Sequence, residues 1–137
     1  MKVAADTSVL VAAFASWHEQ HGLALRAIER IDAVIAHCVL ETYSVLTRLP
    51  SPHRMSSDVV ATYLEQTFAG YPAYALPAAK QRDLIATYVE QRIIGGSIYD
   101  ALIGVTCTHA NVKLLTLDRR ARQTYAALEV EHEIVAA

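Results

Sequence analysis

The chain opens with a short apolar run, Val3 to Ala5, that ends on a carboxylate, Asp6. The run reads as a buried strand, and Thr7 and Ser8 as small polar residues that start a helix by capping its free N–H groups. Val9 to Phe14 is apolar at nearly every position, as in a helix packed on several sides. Trp17-His-Glu-Gln-His21 breaks the pattern. Leu23, Ala24, Ala27, Ile28 and Ile31 then follow helical spacing, with Arg26, Glu29 and Arg30 on the other face. Ala33 to Ala36 reads as a second strand. Cys38 to Leu49 reads as a helix with Leu40, Tyr43, Val45, Leu46 and Leu49 on its buried side, stopped by Pro50 and Pro52.

Ser56, Ser57 and Asp58 cap a further helix, Val59 to Phe68, ended by Gly70. Ala73 to Leu76 is a weak strand, and Pro77 suits the first turn of a helix running to about Gln91. Gly95 and Gly96 make a turn, and Ser97 starts a helix through Ala110. Val112 to Thr116 is the fourth strand and Asp118 to Leu128 the last helix. Glu129 to Val135 alternates charged and apolar residues, as a half-exposed edge strand does. Strands alternating with helices predict an α/β fold. We expect a single domain over residues 1–137, with a parallel sheet of about five strands flanked by helices on both faces. Right-handed crossovers then bring the C-terminal ends of the strands to one edge.

Composition narrows the class. With 53% hydrophobic and 19% charged residues, a disordered chain is excluded. The net charge of −2 argues against a protein living on nonspecific nucleic-acid affinity, so such a partner must be held by local patches or through a metal. Cys38 and Cys107 show no paired spacing, which suits buried thiols in a reducing compartment. Asp6 interrupts the apolar N-terminus in a way secretory signals tolerate badly, and no apolar run approaches a membrane span. A soluble, cytoplasmic protein is expected.

Four acids fall at the expected sheet edge: Asp6 after the first strand, Glu41 in the first turn after the second, Asp100 in the helix before the fourth, and Asp118 after the fourth. Each has an ordinary explanation. Asp6 and Asp118 could be helix caps, Glu41 could favour a helix dipole, and Ser97-Ile-Tyr-Asp100 reads as a variant capping box. Together they repel one another, and a bound cation is the usual remedy. Oxygen-only ligation points to Mg²⁺ or Mn²⁺ rather than zinc. His18 and His21 stand three apart, not the four a zincin motif needs. Gly95-Gly-Ser97 reads as a turn and cap, and the seven tyrosines as core or interface packing.

Asp6-Thr-Ser, Glu41 near a helix start, Tyr99-Asp100-Ala-Leu-Ile and Leu114-Leu-Thr-Leu-Asp118 together resemble the PIN-domain nucleases, and among them the VapC-like toxins of bacterial toxin–antitoxin pairs. The resemblance spans essentially the whole chain. It implies a metal-dependent endoribonuclease acting on structured RNA, such as tRNA or ribosomal RNA, and neutralised by a cognate VapB-like antitoxin. It also implies a homodimer. Carried over by position, Asp6 and Asp100 are the main metal ligands, Asp118 completes the site, and Glu41 holds a second ion or orients the water. Thr116 is a supporting hydroxyl. Arg119 and Arg120, with Arg122, could neutralise RNA phosphates, and Arg48, His53 and Arg54 form a second, weaker basic patch. Two other functions remain open: a phosphohydrolase using Asp6 as nucleophile, disfavoured because Ser8 replaces the second acid of an Asp-x-Asp, and a noncatalytic module whose acids receive a basic partner.

Overall fold

The computed structural model describes all 137 residues. In chain order the elements are β1 (Lys2–Ala5), α1 (Thr7–Phe14), α2 (His21–Ile28), β2 (Val34–Ile35), α3 (Ala36–Arg48), α4 (Ser57–Phe68), β3 (Ala73–Tyr74), α5 (Ala78–Gln91), α6 (Ser97–Ala110), β4 (Val112–Thr116), α7 (Arg119–Ala127) and β5 (His132–Ile134). The alternation expected from the hydrophobic pattern is present throughout. All strand pairings are parallel, which places the strand ends carrying Asp6 and Asp118 on one edge.

The sheet differs from the expected continuous one. A three-stranded sheet, β1-β4-β5, stands beside a two-stranded one, β2-β3. The seam lies at Val3. Its carbonyl accepts from the N–H groups of Asp32 (2.9 Å) and Ala33 (3.2 Å), while its own N–H donates to Asp32 Oδ1 at 2.8 Å. A side chain thus takes a place that the next strand would fill, and β2 has only two residues before α3 begins. In β4, Leu114 and Leu115 are adjacent and both fully buried, so both faces of the central sheet are covered. Ala4, Val9, Ile35, Ile103 and Tyr125 join them in the main core. A smaller cluster of Leu46, Val60 and Leu64 closes the α3–α4 hairpin.

One expectation about burial is corrected. The inner face of α3 is Cys38, Thr42 and Leu46, each four apart, whereas Leu40 and Tyr43 are 73% and 40% exposed. Thr42 fits inside because its hydroxyl donates to the Cys38 carbonyl at 2.7 Å, satisfying the buried oxygen that hydropathy counts against it. Of the tyrosines only Tyr125 is fully buried; Tyr43, Tyr71 and Tyr99 are exposed and the other three partly so.

The edge strand β5 is fastened by charge. Glu133 accepts two hydrogen bonds from Arg30 (2.8 and 2.9 Å) and lies 3.0 Å from Lys113 Nζ. These partners hold its carboxyl down at about 2, Arg30 contributing most. A carboxylate lowered by folding stabilises the fold fully above its ordinary value of 4.5 and loses that contribution as pH falls toward about 2. The pair is partly solvated, so its worth is modest. Glu133→Gln should cost about 1 kcal/mol in urea denaturation at neutral pH, and the difference from the parent should vanish as the pH approaches 2.

Candidate active site

Asp6 continues the β1 ladder, its N–H donating to the Leu115 carbonyl at 2.9 Å. Its side chain then turns inward and is only 3% exposed. Oδ1 accepts from the Ser8 N–H at 3.1 Å, capping α1, and from the Ser8 hydroxyl in a short contact. Oδ2 accepts from the Tyr125 hydroxyl at 2.8 Å. Ser8 has a single hydroxyl proton and gives it to Asp6. Its oxygen therefore accepts from the Leu117 N–H (2.9 Å) and from the Thr116 hydroxyl (3.4 Å). Thr116 Oγ1 accepts in turn from the Asp118 N–H at 3.0 Å. A chain of hydroxyls thus joins the start of α7 to Asp6, and the supporting hydroxyl expected at Thr116 belongs to it.

The other acids reach the same place from three more elements. Asp118 caps α7, with Oδ1 accepting from Arg120 N–H (2.8 Å) and Ala121 N–H (3.2 Å), which leaves Oδ2 free. Asp100 is not a cap. The N-cap of α6 is Gly96 with no side-chain bond, so the expected Ser-x-x-Asp box does not form and the Asp100 carboxyl turns to the cleft. Glu41 lies in the second turn of α3 rather than the first, because that helix starts at Ala36, directly after β2. Its dipole explanation weakens accordingly. Glu41 Oε2 sits 3.6 Å from His37 Nε2, whose ring stacks on Tyr99.

All four acids line one open cleft of about 840 Å³. Arg119 and Arg120 line it from α7, exposed and without an acidic partner, and Arg48 from α3. Burial pushes the Asp100 carboxyl up to about 6, helped by the charges of Asp118, Asp6 and Glu41 and opposed by Arg120. Burial also raises Asp6, against the stabilising bonds from Ser8, Thr116 and Tyr125. The phenol of Tyr125 is driven far up, first by burial and then by the Asp6 charge, so it keeps its proton and donates.

Tyr125 also sets a spacing. A Cβ at Gly104 would lie 2.8 Å from Val130 Cγ2 and 3.1 Å from Tyr125 Cδ1, so only glycine lets this ring lie against the α6 backbone. Gly104 is one turn beyond Asp100. The ring therefore packs on the helix that carries one acid while its hydroxyl holds another. Ser8, Tyr125 and Gly104 escape a reading of the sequence. The signal was Asp-x-Ser at the first strand end, and a tyrosine seven residues, two helical turns, after Asp118. His18 and Gln20 also line the cleft. His18 is no metal partner of His21: its Nδ1 accepts from the Gln20 N–H, while His21 Nδ1 pairs with the Ala12 carbonyl.

Comparison with known proteins follows this geometry. The PIN domain family matches residues 3–127. The chain is 51% identical over 134 residues to Ribonuclease VapC40 of Mycobacterium tuberculosis, an alignment covering 97% of this chain and 98% of that protein. It belongs to the PIN-domain family, in its VapC-like branch. Ribonuclease VapC27 of the same organism is 34% identical over 136 residues, covering 98% of this chain and 97% of the relative. Among solved structures, a FitAB chain bound to an IR36 DNA fragment superposes with a TM-score of 0.66 at 18% identity, covering 96% and 93% of the two chains. That likeness supports the PIN fold alone.

The acid set of this PIN domain suits a hard divalent cation, since the four acids offer only carboxylate oxygens and the charges of three of them add to burial in raising Asp100. No three His, Cys, Asp or Glu side chains gather closely enough to hold an ion by themselves. A cation would use a subset of the acids and complete its shell with water, as Mg²⁺ commonly does.

Three variants check this account of the site. A carboxyl raised by folding stabilises most below its ordinary value of 3.8 and loses that contribution as pH rises through about 6. Without divalent ions, Asp100→Asn should therefore melt at a higher temperature than the parent above about pH 6, with the difference shrinking toward pH 3.8. Tyr125→Phe removes the donor to a buried carboxylate and should cost about 2 kcal/mol in urea denaturation. Gly104→Ala forces the ring and Val130 apart, at about 1–3 kcal/mol.

Proposed function

We infer that this protein is a divalent-metal-dependent endoribonuclease toxin, cutting phosphodiester bonds of tRNA or ribosomal RNA. The carrying observation is the convergence of Asp6, Glu41, Asp100 and Asp118 from four elements on one cleft, with Asp100 pushed up to about 6 by burial and its neighbours. The name ribonuclease on relatives aligned over nearly the full chain supports the same reading.

In this reading Mg²⁺ or Mn²⁺ would be held by a subset of Asp6, Asp100 and Asp118 with water completing its shell, and Glu41 would hold a second ion or orient water. Such a cation supplies a Lewis acid that offsets phosphate charge and acidifies a water near neutral pH. The chain does the positioning. Asp6 is fixed by donors on both oxygens, Asp118 by its cap, and Thr116 and Ser8 tie the two together. Arg119, Arg120 and Arg48 receive phosphates from either side of the bond to be cut. A cationic side chain from a VapB-like antitoxin, placed among the same acids, would silence the site by charge complementarity. The reading extends to a homodimer, for which Ile85 and Val89, one turn apart on α5 and 60% and 76% exposed, offer apolar surface. It also implies a cytoplasmic protein, consistent with free buried thiols at Cys38 and Cys107. No helix is long and apolar enough to cross a membrane.

The two rivals fare worse. A phosphohydrolase of the Asp-x-Asp kind needs a second acid two residues after its nucleophile, and Ser8 stands there with its hydroxyl committed to Asp6. A docking module for a basic tail does not account for relatives named ribonuclease over nearly the full length of the chain. Incubating the chain with end-labelled total tRNA and ribosomal RNA should give discrete fragments with Mn²⁺, none with EDTA, and none with Asp100→Asn. Wild-type cleavage by that variant would sink the assignment. Calorimetry should show Mn²⁺ binding that weakens at least tenfold in the same variant.

A further inference from the structure

The segment between α1 and α2 presents an aromatic surface that neither core uses. Trp17 is 44% exposed and belongs to neither hydrophobic cluster. Its ring lies 4.1 Å, centre to centre, from that of His53, with the planes 30° apart. His18 flanks it at 5.9 Å. The packing aromatics of this region are a different pair, Phe14 and Tyr63, 4.4 Å apart beneath the surface. Trp17 and His53 come from loops on two sides of α3, and both loops are tied down. His18 N–H bonds the Ala15 carbonyl (2.9 Å), His53 N–H the Pro50 carbonyl (3.0 Å), and Arg54 Nε the Leu49 carbonyl (2.9 Å). The shelf is therefore built in advance of any ligand.

Its position is what gives it meaning. His18 and Gln20, immediately after Trp17, line the acidic cleft, and so does Arg48, the last residue of α3 before the loop carrying His53. With Nδ1 accepting from Gln20, the His18 ring carries its proton on Nε2, a donor for a ligand. Gln20 offers both an amide donor and an acceptor. A half-exposed indole thus stands beside a cleft whose lining includes a guanidinium and two hydrogen-bonding side chains, one of them, His18, adjacent to it in the chain. That is the set with which proteins take an unpaired nucleotide: stacking for the base, a cation for its phosphate, polar edges for identity.

We propose that Trp17, backed by His53, is a stacking site for one unpaired base of the RNA strand, next to the nucleotide whose phosphate Arg48 receives. The proposal rests on the ribonuclease reading and adds to it where the substrate must be single-stranded. Trp17 is a binding residue, distinct from the acids that hold the cation.

Trp17 is the only tryptophan in the chain, so indole emission reports this site alone. The Asp100→Asn chain, with Mn²⁺, is titrated with an unstructured, mixed-sequence RNA oligonucleotide, following indole emission and the anisotropy of a label on the RNA. Saturable quenching that tracks the anisotropy is expected. Trp17→Ala should weaken binding about tenfold, within the range for one stacked base, and Trp17→Phe should recover most of it. In the otherwise wild-type chain Trp17→Ala should raise KM by a similar factor and leave kcat within about twofold, which general misfolding would not do. RNA that binds without changing indole emission, and equally well to Trp17→Ala, would overturn the proposal and leave the ribonuclease reading standing. Emission that answers only to a protein partner would also overturn it, making the shelf a docking surface. Absence of any RNA binding or cleavage would remove both.

Discussion

The structure depends on keeping one carboxylate, that of Asp6, out of water. A buried charge is stable only when donors surround it, and the fold supplies them from opposite ends of the chain. Ser8 comes from the next turn and Tyr125 from 119 positions away. For both to arrive, β1 must lie beside β4, α7 must follow β4 at once, and α6 must be smooth enough at Gly104 for a phenol ring to pass. The core of Ala4, Leu114, Leu115 and Tyr125 is therefore also the mounting of the acid. Stability and function are not separable layers here.

Beside that fixed acid, Asp100 is held under tension. Asp118 has one oxygen committed to its cap and one free; Asp100 has no protein donor and is pushed up to about 6. Such an arrangement costs stability in the bare protein and lowers that cost when positive charge arrives, whether as a cation, an arginine or a shared proton. The trade is the expected one for a site built to bind charge. It also explains how a chain of net charge −2 can handle a polyanion: repulsion is local and answered locally, with Arg48, Arg119 and Arg120 on the rim.

Much of this was legible in the sequence, for reasons that differ by residue. β4 was readable to its limits because Val112 to Thr116 is a dense apolar run that starts after Asn111, a residue in the left-handed region (φ 57°) that ends α6. The acids were readable because carboxylates at strand ends and helix starts stand out against apolar runs. The division of the sheet was not, since it turns on Asp32 taking the N–H of Val3, a contact between positions 29 apart. The inner face of α3 was misjudged because hydropathy favours Leu40 and Tyr43 over Cys38 and Thr42, and a threonine bonded to its own helix behaves as an apolar residue. Tyr125 was hidden by being ordinary. A buried aromatic on an amphipathic helix looks like core, and it is core; only its hydroxyl does anything else.

The capping reading of Asp100 shows where local rules yield to the site. Ser97-Ile-Tyr-Asp100 has the residues of a box, and forming it would have satisfied free N–H groups at the start of α6. Instead Gly95, with φ at 61°, and Gly96 turn the chain into the helix without a side-chain cap, and the carboxylate faces three other acids. A helix start was left weaker than its residues allow, and an acid more repelled than its sequence requires. Both concessions serve one end, a negative cleft with oxygen atoms free to bind. Asp118 strikes the opposite balance, capping α7 with one oxygen and offering the other. The two acids show two settings open to a carboxylate at a helix start, one oxygen capping or neither, and the setting of each follows from whether a donor lies within reach.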